Sequence, residues 1–341
     1  MKINISQLLL ATSLICSTLS VAAETTVLQF NRWVPSSHFI QPEVLEAWAD
    51  DVESATEGRV KIQFTASSLG PPARQFDLIR SSIADIVWSP TGYLPGRFPA
   101  SEIAEIPFVG DNAEAISVAY WRTYNKHLVK SGEFDGVKLL SLHVQPPGEI
   151  HTNKVPLNSL ANLKGLKLRV STPSSGAVAK AVHAVGMSGP STQVYELLSR
   201  GIVDGNFSTA DGIPMFNLQN YIHHRMVVDG GFFNAGFFLA MSERAWNKLD
   251  AVDQNIIEKL SGEAFAIRAG KMWDKQARDA SVELEKQGMT TTKLTGDELA
   301  ELKSSLSNID ETWIAEVSKK GVDGASALQM FRKEAADYLS K

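Results

Sequence analysis

Few side chains in this chain are spaced for chemistry. His223 and His224 are adjacent, so a helix or strand turns them in different directions, whereas a zinc pair on a helix sits four residues apart. Gly186-Met187-Ser188-Gly189-Pro190 lacks the final glycine of a nucleophile elbow and reads as a turn. Glu102 and Glu105 suggest a carboxylate pair, but nothing nearby in the sequence would tune either acidity, and they read as solvated loop residues. There is no phosphate-binding glycine loop and no dinucleotide fingerprint. The single cysteine, Cys16, falls in an N-terminal leader, so the rest of the chain has no thiol nucleophile, thiolate zinc site or disulfide. These patterns predict neither an enzyme nor a cofactor or metal site.

Arg169 stands apart. In Gly165-Leu166-Lys167-Leu168-Arg169-Val170-Ser171-Thr172-Pro173 the apolar residues alternate, which sends Arg169 to the face opposite Leu166, Leu168 and Val170. It lies near the carboxyl end of its strand, where open α/β sheets place ligands. A guanidinium is a rigid planar fork of donors that fits a carboxylate bidentately. The helix signal that follows at once would add unpaired N–H groups and a positive dipole end. A strand arginine also commonly makes a surface ion pair, so these residues alone leave both roles open.

Positioning such a residue takes a sheet. Val27-Leu28-Gln29-Phe30, Arg59 to Phe64 and Asp85-Ile86-Val87-Trp88 read as strands. Helical patterns over Gln41 to Thr56 and Ala73 to Ser82 separate them, the first with Val44, Leu45, Trp48 and Val52 on one face. This β-α-β-α-β series predicts a parallel sheet with covering helices. The rhythm restarts with strands at Val137 to Leu142 and Leu166 to Val170, helices at Ser174 to Val185 and Thr192 to Arg200, and a strand at Ile202 to Phe207. Two α/β lobes are therefore expected, joined by several short crossings. Asp253 to Gln287 contains no proline and repeats at helical spacing, which predicts one helix of about 50 Å bracing both lobes, or two helices broken at Gly262 or Gly270. Thr295-Gly296-Asp297-Glu298 fits a capping box for a further helix.

Composition bounds the setting. The chain has 341 residues, 44% hydrophobic and 21% charged, ordinary for a globular protein with sizeable cores. Lys2, an apolar run from Leu8 to Val21 and the small residues Val21-Ala22-Ala23 read as a secretory signal peptide cut after Ala23, too short and interrupted for a membrane span. Bulky Ile15 before Cys16 argues against lipid anchoring. Removing residues 1–23 takes away one lysine and no acid, leaving 32 basic against 38 acidic residues. That balance argues against nucleic acid and anionic lipid as partners. No later segment is long and apolar enough to insert in a membrane, and the expected location is a bacterial periplasm.

The string Leu163-Lys164-Gly165-Leu166-Lys167-Leu168-Arg169-Val170 resembles the hallmark segment of the solute-binding proteins of tripartite ATP-independent periplasmic (TRAP) transporters, the DctP-like family. Ser68-Leu69-Gly70, Ile106-Pro107-Phe108 and Tyr195 to Gly205, with its terminal Asp-Gly, agree in order and spacing. The resemblance covers nearly the whole chain after the leader. It implies a two-lobed periplasmic-binding-protein fold with a long bracing helix between the lobes, capture of a small organic acid by hinge closure with Arg169 on its carboxylate, and delivery to TRAP permease membrane subunits. The expected division is a signal peptide over 1–23, lobe 1 over 24–146 and 232–272, lobe 2 over 147–231 and 273–300, and C-terminal helices over 301–341 packed on the lobes.

Departures from the family pattern narrow the ligand. In sialic-acid-type members a second arginine lies twenty residues before the first; here that place is Glu149. The acidic residue after the third strand appears as Pro90, and the asparagine after the Asp-Gly signature aligns roughly with Ser208, with Asn206 and Phe207 beside it. Aromatic residues sit at the expected pocket loops: Trp33, Trp88, Phe207, Phe232 and Phe233; with Arg169, His38, Glu149, His151, Asn206 and Ser208, all but Phe233 are expected to bind the ligand. Glu149 would accept from a ligand or pair with His151. The expected ligand is a monocarboxylate with an aromatic or apolar body. A C4-dicarboxylate or sugar acid is the alternative within the family, and a periplasmic enzyme acting on a small acid the alternative outside it.

Overall fold

The structure, a computed structural model, describes residues 25–338; the signal-peptide reading, with Cys16 and the cut after Ala23, lies outside the described residues. The strands are β1 (Thr26–Asn31), β2 (Val60–Phe64), β3 (Ile86–Pro90), β4 (Val137–Val144), β5 (Glu149–Thr152), β6 (Lys167–Val170), β7 (Val185–Ser188), β8 (Gly205–Ser208), β9 (His224–Val227), β10 (Gly236–Ser242) and β11 (Thr290–Lys293). They form two sheets, β2-β1-β3-β10-β4 and β11-β9-β5-β8-β6-β7.

In the first sheet β1 runs parallel to β2 and β3. Parallel neighbours need crossovers, supplied by a π-helical turn leading into α1 (Ala47–Ala55) and by α2 (Gln75–Arg80). Val44, Leu45, Trp48 and Val52 are all buried on the sheet, the stripe expected from the sequence. β10 enters antiparallel between β3 and β4, with all seven residues buried. α3 (Ala113–Thr123) covers β4.

The second sheet carries Arg169. β6 runs parallel to β7 and β8, while β5 is antiparallel to β8 and β9. Phe207, Ile150 and Met226 lie in one row across the sheet, and all three are buried with Leu168 in the second lobe's core. α4 (Pro173–Ala181) follows β6 and packs on β6 and β7. The next helices are α5 (Val194–Ser199), α6 (Gly212–Met215) and α7 (Glu243–Trp246). Gly186 to Ser188, expected to be a turn, instead form the edge strand β7.

The predicted bracing helix is broken at the first of the two candidate glycines. α8 (Ala251–Leu260) ends at Ser261, and α9 (Gly262–Lys286) begins with Gly262 at φ +55°. α9 has 25 residues, about 37 Å, and still reaches both lobes. Phe265 and Ala269 join the first core, while Ala280 and Leu284 pack against Val194, Leu198 and Ile213 of the second lobe. Asp274 on α9 accepts from the Ala113 and Glu114 N–H groups (2.7 and 3.1 Å), satisfying donors at the start of α3. Gly270 lets the helices approach: a Cβ there would sit 2.4 Å from Glu114 Cα.

α10 (Gly296–Ser305), α11 (Asn308–Ser318) and α12 (Gly324–Tyr338) complete the chain. The expected capping box at Thr295 is not formed; its side chain makes no cap hydrogen bond. No helix among the described residues is long and apolar enough to cross a membrane.

Candidate functional site

Arg169 leaves β6 on the face opposite the core, as the alternation requires, yet is only 3% exposed. Its Nε donates to Gly189 O (2.8 Å) and its Nη1 to Phe207 O (3.3 Å). These carbonyls fix the plane of the guanidinium. Nη2 is buried with no partner. Burial lowers the pKa from the usual arginine value, and Tyr93 beside it opposes that shift; the group stays cationic.

Arg169 forms part of the wall of a cleft between the lobes, with a volume of about 60 Å³. Tyr93 closes one side. It comes from the turn Thr91–Tyr93 after β3 and reaches Ser191 of the other lobe, donating to Ser191 Oγ (3.1 Å) and accepting from Ser191 N–H (2.8 Å).

Aromatic rings make up much of the rest of the first-lobe wall, beside Pro90, Gln145 and Ala235. Trp33 stacks on Trp88 at 5.6 Å between centroids and donates its Nε1–H to Trp88 O (2.7 Å). The far side of Trp88 stacks on Phe237 at 4.8 Å, and its Nε1–H donates to His143 Nε2 (2.8 Å). His143 must be neutral to accept, and burial pushes its pKa down to about 3. His38 is likewise neutral, lowered by burial to about 3, with Nδ1 accepting from Ile40 N–H (3.2 Å) and its ring set edge-on to Trp273 and Phe216.

Of the residues expected at the site, Trp33, His38, Trp88, Arg169, Phe207 and Ser208 line this cleft, as does Phe233. Glu149, His151, Asn206 and Phe232 are not part of its lining. The cleft lies at the carboxyl ends of β6 and β8, where Ser171 and Ser208 sit; Asn206 is two residues deeper, paired between Arg169 and His151 in the sheet. Glu149 is already engaged: its Oε2 is 3.0 Å from His151 Nε2 and 3.6 Å from Arg225 Nη1. Phe232 is fully buried in the second core and bonded through its N–H to Gly148 O (2.9 Å).

Tyr93, Trp273, Asp211, Met215 and Phe216 line the cleft and were not anticipated. Tyr93 and Asp211 fall in short irregular segments after strands, and Trp273 looks in the sequence like any apolar position of a long helix. The only available signal was position, just past β3 and β8. Asp211 is 3% exposed, with no hydrogen-bond partner for either carboxyl oxygen. Burial, with a contribution from the Glu149 charge and against the Thr209 hydroxyl, raises its pKa to about 7.

Glu102 and Glu105 differ from the solvated pair expected. Glu105 is 1% exposed, its pKa raised well above the usual range by burial and the Glu102 charge, against Ser174 N–H and the Thr172 hydroxyl at the start of α4. Burial raises Glu102 to about 7, the charges of Glu133 and Glu316 adding to the effect. A larger groove of about 690 Å³ runs between α4 and α10, but it holds no unpartnered buried charge such as Arg169. Among the described residues, no group of three or more His, Cys, Asp or Glu is placed to hold a metal ion.

The family of bacterial extracellular solute-binding proteins, family 7 (DctP), matches residues 30–316. The chain belongs to this family, whose members serve transport. It is 30% identical over 320 residues to the outer membrane transporter protein TsaT of Comamonas testosteroni, covering 93% of this chain and 94% of that one. A TRAP periplasmic solute-binding protein from Bordetella bronchiseptica, with bound (R)- and (S)-mandelate, superposes with a TM-score of 0.89 at 32% identity, over 92% of this chain and 99% of that one. One from Rhodoferax ferrireducens, in complex with copurified benzoate, gives 0.86 at 26% identity, over 93% and 99%. This chain is thus a two-lobed solute-binding protein of the TRAP type and not an enzyme.

Proposed function

We propose that the cleft captures a small monocarboxylate with an aromatic or apolar body, Arg169 holding the carboxylate. The observation that carries this is Arg169 Nη2, a buried cationic donor without a partner in a cleft whose first-lobe side carries Trp33, Trp88, Tyr93 and Phe237. A carboxylate would satisfy it with a charge-assisted bond, and the stacked wall of Trp33, Trp88 and Phe237 would pack against a flat apolar body. The mandelate and benzoate found in related proteins are acids of this kind. Arg169 is the one lysine or arginine among the cleft-lining residues, and Asp211 stands on the same wall. A second carboxylate would therefore meet no cation and one acid, which disfavours a C4-dicarboxylate.

The ligand enters between separated lobes and is buried as they close. The segments that carry the first sheet move against those that carry the second, and the Tyr93–Ser191 contact forms on closure. As water leaves, the Arg169–carboxylate attraction strengthens. The closed form is the one presented to the membrane permease subunits, in the periplasm after loss of residues 1–23. Mass spectrometry of the small molecule released on denaturation, with a thermal-shift panel of organic acids, tests the reading. A ligand that binds only the folded form raises its stability by mass action, so an aromatic monocarboxylate should appear in both assays. A dicarboxylate or sugar acid in both would overturn it.

A further inference from the structure

Asp211 is a buried acid that the carboxylate reading leaves unused. It stands on the cleft wall, 3% exposed, in the segment between β8 and α6; the Thr209 hydroxyl and its own N–H are its polar neighbours, but neither carboxyl oxygen has a hydrogen bond of full geometry. It also has no cation: Arg169 Nε and Nη1 are spent on carbonyls, and Arg225 is turned to Glu149, Ser281, Thr291 and Glu285. A buried carboxyl in this state is costly, and such a group calls for an explanation. Glu105, the comparable acid elsewhere, faces the start of α4; Asp211 faces the ligand space.

Three polar side chains with buried, unpartnered atoms line the cleft among the described residues: Arg169, Trp273 and Asp211. Arg169 Nη2 and Trp273 Nε1 are donors and suit the oxygens of a ligand. Of the three, only Asp211 has oxygens that call for a hydrogen from the ligand. We infer that Asp211 selects acids carrying a hydroxyl on the apolar body, the hydroxyl bonding to Asp211 while Arg169 holds the carboxylate. This rests on the carboxylate reading above and narrows its substrate class to hydroxyl-substituted aromatic monocarboxylates. The acidity of Asp211, raised to about 7 by burial and by Glu149, fits a neutral hydroxyl better than a ligand ammonium, because the site already disfavours the charged form that an ammonium would need.

The experiment is calorimetric titration of the purified protein with benzoate, its three monohydroxy derivatives, mandelate and the aminomethyl derivatives of benzoate. Asp211→Asn and Asp211→Leu are titrated alongside, each first checked by unliganded thermal unfolding. At least one hydroxy acid should bind the parent at least about tenfold more tightly than benzoate. Asp211→Leu should bring that ratio to about one whatever its effect on benzoate itself, and Asp211→Asn should keep part of it. The selectivity ratio is the readout, since a merely structural role would weaken all acids together. If benzoate binds as well as every hydroxy acid, or the ratio survives in Asp211→Leu, the Asp211 inference falls and the Arg169 reading stands. Preference for an aminomethyl acid overturns the hydroxyl assignment. If no acid binds, both fall. Should Asp211→Leu not fold, the parent ratio and the Asp211→Asn ratio decide.

Discussion

Tyr93 and Ser191 belong to different lobes and share two hydrogen bonds: Ser191 N–H to Tyr93 Oη at 2.8 Å and Tyr93 Oη to Ser191 Oγ at 3.1 Å. Tyr93 also stands beside Arg169, so one phenol joins lobe contact to the binding cation. Tyr93→Phe removes both bonds and keeps the ring against Trp33. Each bond contributes about 0.5–1.5 kcal/mol, so ligand affinity should fall by roughly 5- to 150-fold. Calorimetry reads the affinity and small-angle scattering the lobe opening. Unchanged affinity with an unchanged closed envelope would show that this contact does not hold the lobes together.

Gly205 opens β8 at the end of the Asp-Gly signature, and a Cβ there would lie 2.0 Å from His151 O and 3.0 Å from Thr152 Cα. The glycine is needed for the close approach of β8 to β5, and Arg169 depends on β8 for Phe207 O. Gly205→Ala should therefore destabilise the protein by more than about 2 kcal/mol and weaken ligand binding as well. Urea unfolding gives the first and titration the second. A midpoint equal to the parent's would mean that β5 and β8 part without cost.

The burial of Glu105 makes a signed pH prediction. Its folded pKa lies well above the usual 4.5, so the folded state keeps a proton that the unfolded state has lost. The favourable contribution is full below about pH 4.5 and is lost as pH rises toward the folded value. Glu105→Gln removes this loss. The stability of the variant relative to the parent should therefore increase with pH above about 4.5, measured as unfolding midpoints from pH 4 to 8. A constant difference across that range would show that Glu105 ionises as freely in the folded protein as in the unfolded chain.

Arg169 was legible because a half-buried strand alternates, and the alternation placed its side chain away from Leu168 and Val170. β10 was not legible: Gly236–Ser242 is buried on both faces, and such a strand has no period to read. β7 escaped for the opposite reason, since Val185, Gly186 and Ser188 are exposed at the sheet edge and leave no apolar signature. Glu149 and His151 could be assigned to each other but not excluded from the cleft, because their depth depends on the register of β5 against β8. Glu105 looked solvated because its burial comes from α4, distant in sequence. Tyr93 and Asp211 reach the cleft from irregular segments whose course only the packed lobes fix.

The most direct test is titration of the parent and Arg169→Ala with the acid recovered from the purified protein, or with benzoate if none is recovered. Removing the arginine leaves the buried carboxylate without its partner, and the account predicts a loss of about 2–5 kcal/mol, roughly 30- to 5,000-fold in Kd, with the variant still folded. An Arg169→Ala protein that binds the acid as tightly as the parent would contradict it.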